Sequence, residues 1–166
     1  MPTTSFRILV ADNFEPWRRF VSSTLQRQAG LQVVGETDAG LEAIQKASEL
    51  KADLIVLDIL FPNLNRLEVA KRINEVLPKA KILLATQNSD PDVAKAALSN
   101  GVHGYLLKAD AGSELLRSIE AIVRGERGSE TVIFASAWLR RPRIDVAIRV
   151  GLTRFPTAEV NPSAPL

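Results

Sequence analysis

Polar residues directly follow four short apolar stretches of this chain, and together they could hold a divalent cation and a phosphoryl group. These residues are Asp12 and Asn13 after FRILVA, Asp58 after DLIVL, Thr86 after KILLA and Lys108 after GYLL. If the stretches are parallel strands of an open α/β sheet, their carboxyl ends share one edge, where ligands bind. Carboxylates suit Mg²⁺, and an ammonium group suits phosphate. The spacing therefore predicts a site for a divalent cation and a phosphoryl group at this edge.

Helical patterns alternate with the apolar stretches, and this alternation is typical of βα units around a parallel sheet. The strands are predicted at residues 7–10, 32–35, 54–57, 82–85 and 104–107. The helices are predicted near residues 16–28, 41–49, 67–76, 91–99 and 113–124. We therefore expect an α/β domain that spans residues 1–128.

Composition favours a globular protein that works inside the cytoplasm. Apolar residues make up 46% of the chain, which supports a sizeable core. The formal net charge is only +2, so charge gives little support to a nucleic-acid partner. The chain has no cysteine, which excludes disulfide and thiol chemistry. The first ten residues do not read as a signal peptide, and we expect no membrane span.

The segment after residue 128 follows a different pattern and is predicted to be a C-terminal extension, residues 129–166. Gly125 and Gly128 flank the break. Within 131–150 the sequence is rich in apolar and β-branched residues, and apolar residues alternate with others at 144–150. We expect 131–150 to be ordered, as a hairpin packed on a domain face, a sheet edge or a second subunit. A mobile extension is the alternative.

Residues 6–125 resemble the receiver domain of bacterial two-component response regulators. The matching segments are ILVADNFEPWRRF, DLIVLDILFPNLNRLEVAKRI, KILLATQNSD and GYLLKADAGSELL. The resemblance implies a flavodoxin-like, doubly wound sheet of five parallel strands in the order 2-1-3-4-5, with five helices. It also implies a phosphorelay signalling protein rather than an enzyme acting on an external substrate. The phosphoryl donor would be a phosphohistidine on a sensor histidine kinase or phosphotransfer protein.

The resemblance also assigns roles to the site residues. Asp58 would be the phosphoacceptor, and Lys108 would pair with Asp58 and then with the phosphoryl oxygens. Asp12, Asp58 and the backbone carbonyl of Leu60 would hold Mg²⁺. Asn13 stands where the family usually has a second acid, and it would orient a metal-bound water.

Two further residues would carry the signal to a protein-binding surface. The Thr86 hydroxyl would bind a phosphoryl oxygen, and its movement would let the Tyr105 ring turn inward. The surface that changes would comprise the helix at 91–99, the strand at 104–107 and the last helix. His103, the only histidine, is interpreted as a loop residue and not as a ligand.

Two departures from the family pattern leave an alternative open. Asn13 removes one negative charge from the cation site, and Arg66 replaces a glycine that commonly adopts a positive φ. Both favour a receiver-like interaction module that works without phosphorylation.

Other classes of function are disfavoured. A nucleotide enzyme would need a phosphate-binding loop, and the chain has neither GxxxxGK[ST] nor GxGxxG after the first strand. The extension is too short and too rich in proline for a helix-turn-helix. We therefore expect a stand-alone receiver with no direct DNA binding, an unknown downstream protein partner and a possible homodimer.

Overall fold

The computed structural model describes residues 5–65, 67–87, 90–125 and 133–134. Six strands are present in this part of the chain: β1 (Phe6–Ala11), β2 (Leu31–Thr37), β3 (Leu54–Asp58), β4 (Lys81–Thr86), β5 (Gly104–Leu107) and β6 (Ile133–Phe134). The helices are α1 (Glu15–Gln26), α2 (Gly40–Glu49), α3 (Glu68–Val76), α4 (Pro91–Ser99) and α5 (Ala111–Gly125), with a 3₁₀ turn at Lys108–Asp110 before α5.

The strands form one sheet in the order β2-β1-β3-β4-β5-β6, and each neighbouring pair is parallel. The predicted doubly wound fold and the order 2-1-3-4-5 are confirmed. The expected five strands are joined by a sixth, because β6 pairs with β5 in the register Gly104 to Ile133 and Tyr105 to Phe134. β6 therefore occupies the sheet edge beside β5. The other residues of 129–166 lie outside the described residues.

Helices on both faces of the sheet explain why its central strand, β3, is apolar from Leu54 to Leu57. On one face, Ile55 and Leu57 of β3 belong to a core cluster that includes residues of α2, α3 and α4. On the other face, Leu54 and Val56 pack in a cluster with residues of α1 and α5. None of the helices in the described ranges is long and apolar enough to cross a membrane.

Differences of two residues from the predicted boundaries lie at the end of α1, at the end of β2 and at the start of α5. β2 extends from residue 31 to residue 37, with a register irregularity opposite Ile8 and Leu9 of β1. α5 begins at Ala111, two residues before the predicted 113, because the 3₁₀ turn at Lys108–Asp110 leads directly into it. This turn carries Lys108 to the carboxyl edge of the sheet.

Candidate functional site

Four predicted site residues lie at the carboxyl ends of neighbouring strands. Asp12 follows β1, Asp58 ends β3, Thr86 ends β4 and Lys108 follows β5. Parallel pairing of these strands brings their ends to one edge of the sheet. Asp12 is only 1% exposed, Asp58 3% and Thr86 0%, so the two acids and the hydroxyl are removed from bulk water.

Lys108 connects the two acids. Its Nζ lies 2.5 Å from Oδ2 of Asp12 and 3.3 Å from Oδ2 of Asp58. The sequence pointed to Asp58 as its partner, and the structure adds Asp12 as the nearer one. The Lys108 side chain is 8% exposed, so little solvent screens either ion pair.

Asp12 uses its second carboxylate oxygen and its backbone to order the start of α1. Oδ1 accepts a hydrogen bond from the backbone N–H of Phe14 at 2.8 Å, and the Asp12 carbonyl accepts one from Nη1 of Arg18 at 2.7 Å. Burial raises the pKa of the Asp12 carboxyl, while the contact with Lys108 and the Phe14 N–H oppose this rise. The negative charge of Asp58 adds to the rise. Asp12 therefore lies where added positive charge is favourable.

Asp58 is held by the loop that follows it. Its Oδ1 accepts a hydrogen bond from the backbone N–H of Leu60 at 3.1 Å, and its Oδ2 faces the Lys108 ammonium. The Leu60 side chain is exposed, and Asn13 is exposed beside Asp12. Arg66 lies outside the described residues, so the prediction about its backbone stays a prediction.

The arrangement of the acids fits a divalent cation. Oδ2 of Asp12 and Oδ2 of Asp58 both face one positively charged atom, Nζ of Lys108, which occupies the place of a cation between them. Among the described residues, Oδ2 of Asp12 has no hydrogen-bond donor besides that ammonium. The described residues contain no cluster of three or more His, Cys, Asp or Glu suited to a metal. Two carboxylates are enough for Mg²⁺, which keeps several waters.

Thr86 and Tyr105 are buried on neighbouring strands. Thr86 ends β4 and is paired in register with Leu107, while Tyr105 is paired with Leu84. Tyr105 is 1% exposed, and its ring packs in the core cluster on the α2, α3 and α4 face. The ring therefore lies inward.

The structure also places an aromatic residue at the site that the sequence reasoning missed. Nζ of Lys108 lies over the Trp17 ring, 5.3 Å from the ring centroid. Beside this contact is a cleft of about 290 Å³, lined by Phe14, Pro16, Trp17, Phe20, Gln87 and Lys108. The sequence signal was available in FEPWRRF, which places three aromatic residues in or beside the first turns of the helix after Asp12 and Asn13.

Comparison with known proteins identifies the family. Residues 8–120 match the response regulator receiver domain family. The chain therefore belongs to the response regulator receiver family, as the four sequence segments predicted.

One curated relative is the response regulator protein VraR of Staphylococcus aureus. It is 35% identical over 122 residues, which cover 74% of this chain and 58% of VraR. The chain thus spans little more than half the length of this relative.

Solved structures show the same fold. A LuxR-family two-component response regulator from Aurantimonas sp. SI85-9A1 is 27% identical with a TM-score of 0.71, covering 78% of this chain and 89% of that one. The receiver domain of the response regulator NarL from Mycobacterium tuberculosis is 26% identical with a TM-score of 0.66, and the match covers 75% of this chain and 98% of that one. The isolated receiver domain of RcsB from Salmonella enterica serovar Typhimurium is 21% identical with a TM-score of 0.74, and the match covers 82% of this chain and 97% of that one.

Proposed function

We propose that this receiver domain accepts a phosphoryl group on Asp58 from a phosphohistidine of a sensor kinase or phosphotransfer protein. One observation carries the proposal: the Asp58 carboxylate is 3% exposed and faces the Lys108 ammonium at 3.3 Å, beside the second buried acid, Asp12. Family membership over residues 8–120 supports it.

The chemistry is a nucleophilic displacement at phosphorus. An Asp58 carboxylate oxygen forms a P–O bond while the P–N bond to the donor imidazole breaks, and the leaving nitrogen keeps the electron pair. The product is an acyl phosphate on Asp58. Lys108 lowers the repulsion between the carboxylate and the phosphoryl oxygens, and then pairs with those oxygens as a point charge.

A divalent cation, taken to be Mg²⁺, would be held by Asp12, Asp58 and the Leu60 carbonyl, with Asn13 reaching it through water. When bound, it screens the negative charge of the phosphoryl group. The Leu60 N–H orients the nucleophilic carboxylate of Asp58, and the burial of Asp58 keeps bulk water away from it. Lys108 supplies the second positive charge.

The signal would leave the site through Thr86 and Tyr105. Both are buried on adjacent strands, so a shift of the Thr86 hydroxyl toward a phosphoryl oxygen changes the packing available to the Tyr105 ring. A packed interior responds to such a change by adopting another discrete arrangement. The surface formed by α4, β5 and α5 would then present a different face to a downstream protein.

Phosphorylation can be tested by incubating the protein with Mg²⁺ and acetyl phosphate, followed by intact mass measurement. We expect a mass increase of one phosphoryl group that hydroxylamine removes, and we expect Asp58→Ala to abolish it. Asp53→Asn is the matched control, because Asp53 lies immediately before β3, at the opposite end from Asp58, and accepts a hydrogen bond from the Arg7 N–H. Unchanged phosphorylation of Asp58→Ala would overturn the assignment.

The interaction module that works without phosphorylation is the second candidate, and the missing acid at Asn13 is the observation that favours it. It predicts no phosphorylation of the wild type by acetyl phosphate or by several phosphohistidine donors. It also predicts that beryllium fluoride with Mg²⁺ leaves the backbone amide NMR signals of β4 and β5 unchanged. Shifts of those signals that disappear in Asp58→Ala would instead support the phosphorylated receiver.

A further inference from the structure

The Trp17 ring is held in place by contacts that do not involve Lys108. Trp17 lies in the first turn of α1, where Pro16 favours the helical backbone. Its ring is tilted against Phe20, with centroids 5.5 Å apart, and belongs to a core cluster with Val21 and Leu25. The side chain is 9% exposed. The ring is therefore a rigid wall of the site.

Lys108, by contrast, depends on its partners for its position. A lysine side chain has a flexible four-carbon stem and carries a compact point charge. Here the ammonium is surrounded by Oδ2 of Asp12, Oδ2 of Asp58 and the face of Trp17. Two of these three partners are acids that the proposed function also assigns to a cation and to the phosphoryl group.

The acids and the ring differ in how they respond when a cation binds. A cation bound to Asp12 would compete with Lys108 for its nearest partner and would repel its ammonium. The Trp17 ring is neutral, so its attraction for the ammonium does not depend on the charge state of Asp12 or Asp58. Cation–π attraction acts within about 6 Å and is stronger where water is excluded.

We propose that Trp17 is a positioning residue that keeps the Lys108 ammonium in the site while its carboxylate partners change. This inference rests on the proposed function, because in that function a cation and the phosphoryl group compete with Lys108 for Asp12 and Asp58. Trp17 is not assigned any contact with the phosphoryl group. It acts only through Lys108.

Three variants separate this role from ordinary packing. Trp17→Leu keeps an apolar side chain and removes the π face, whereas Trp17→Phe keeps an aromatic ring. Phe20→Leu is the matched control, because it removes the neighbouring ring on α1, and Phe20 packs against Trp17. A role limited to packing predicts that Trp17→Leu and Trp17→Phe behave alike.

The direct readout is the NMR signal of the Lys108 side-chain CεH₂ group, recorded with and without Mg²⁺. In the wild type we expect ring-current-shifted signals that stay shifted when Mg²⁺ is added. We expect the shift to disappear in Trp17→Leu and to persist in Phe20→Leu and partly in Trp17→Phe. Lys108 signals at free-lysine values in the Mg²⁺-loaded wild type would overturn the proposal. Ring-current-shifted Lys108 signals that persist in Trp17→Leu would overturn it as well.

The second readout is the rate of phosphorylation by acetyl phosphate. We expect Trp17→Leu to slow it by about tenfold, the size of a partly desolvated cation–π contact. In a Lys108→Ala background, Trp17→Leu should have no further effect. An equal loss in that background would show that Trp17 acts by packing alone. If the wild type accepts no phosphoryl group, the proposed function fails, and the Lys108 signals alone decide whether Trp17 holds the ammonium.

Discussion

At the scale of single residues, the site holds more negative than positive charge. Asp12 and Asp58 are both buried, and Lys108 is the one ammonium that contacts them in the described part of the chain. Burying a second acid without its own counter-ion is costly, and burial raises the pKa of Asp12 accordingly. The residues thus favour a further cation, which the proposed phosphoryl transfer needs.

Asn13→Asp should tighten Mg²⁺ binding, because it adds a negative charge next to Asp12. Asn13 is exposed, so solvent screens the new charge and we expect a gain of only about threefold to tenfold. Isothermal titration with Mg²⁺ measures the affinity. Gln26→Glu is the control, because it adds the same charge at the exposed, far end of α1. Equal or weaker binding by Asn13→Asp would contradict this electrostatic explanation.

His103 should make the stability of the protein depend on pH. The backbone N–H of His103 donates to the Ile82 carbonyl at 2.9 Å, and Nδ1 of its imidazole accepts from the backbone N–H of Ile82 at 3.2 Å. Burial, with a smaller effect of Lys81, lowers the pKa of His103 from 6.5 to about 4. As the pH falls, His103 therefore becomes protonated at a higher pH in the unfolded chain than in the folded protein. The contribution of His103 is complete above about pH 6.5 and is lost as the pH falls toward about 4.

The test compares urea unfolding of the wild type and His103→Asn at pH 7 and pH 4.5. Asn keeps a short polar side chain but does not titrate. Because His103 is only half-buried, we expect the wild type to lose about 1 kcal/mol more than the variant on acidification. The chain has one histidine, so no other imidazole contributes. An equal pH dependence of both proteins would show that His103 is not the cause.

At the scale of elements, the ends of helices set where the strands begin. Gly30 and Gly101 each follow a helix and precede a strand, and both have positive φ, at 82° and 78°. Only glycine adopts this conformation without strain. The two positions differ in their surroundings. A Cβ at Gly30 would meet nothing within 4 Å, whereas a Cβ at Gly101 would lie 2.4 Å from Nδ2 of Asn74.

The two glycines therefore form a matched pair for substitution. Gly30→Ala should lower the free energy of unfolding by about 1 kcal/mol, the cost of the backbone conformation alone. Gly101→Ala should lower it by about 2–3 kcal/mol, because it also displaces Asn74, whose Nδ2 donates to the Asn100 carbonyl at 2.6 Å. Chemical denaturation measures both. In an Asn74→Ala background the extra cost should vanish, and its persistence would contradict the steric cause.

At the scale of the whole molecule, the two core clusters of the described residues are formed by the sheet and its five helices. Their buried residues lie between Ile8 and Ile122, on both faces of the sheet. β6 adds one parallel pairing at the outer edge of β5, opposite Gly104 and Tyr105. The extension thus meets the sheet at the strand that carries Tyr105, which the proposed signalling route uses.

Deleting residues 129–166 should leave a cooperatively folded domain that still accepts a phosphoryl group. Within the described residues the extension pairs with β5 through Ile133 and Phe134, so we expect a loss of about 1 kcal/mol or less and faster hydrogen exchange along β5. Hydrogen exchange with mass spectrometry checks this, and a molecular-mass measurement shows whether the extension joins two chains. Rapid exchange throughout 131–150 of the intact protein would reject the ordered extension. Loss of cooperative unfolding on deletion would reject the self-sufficient core.

The strand order was implied by the resemblance to receiver domains. The sequence by itself determined the fold class and which polar residues follow the strands. These features depend on local patterns: an apolar stretch predicts a buried strand, and a polar residue after it marks the strand's end. Strand and helix boundaries were less well predicted, as at β2 and α5, because pairing and the 3₁₀ turn extend or shorten elements beyond their local pattern.

Only the tertiary structure decided which side chains touch. Asp12 is the nearer partner of Lys108, and Trp17 lies against the same ammonium, although both are far from Lys108 in the sequence. The direction and rotamer of each side chain depend on neighbours from other elements, and no local pattern encodes them. The tertiary structure also decided the parallel pairing of β6 with β5. An edge strand pairs with whichever edge the folded sheet leaves free, and local sequence does not determine that edge.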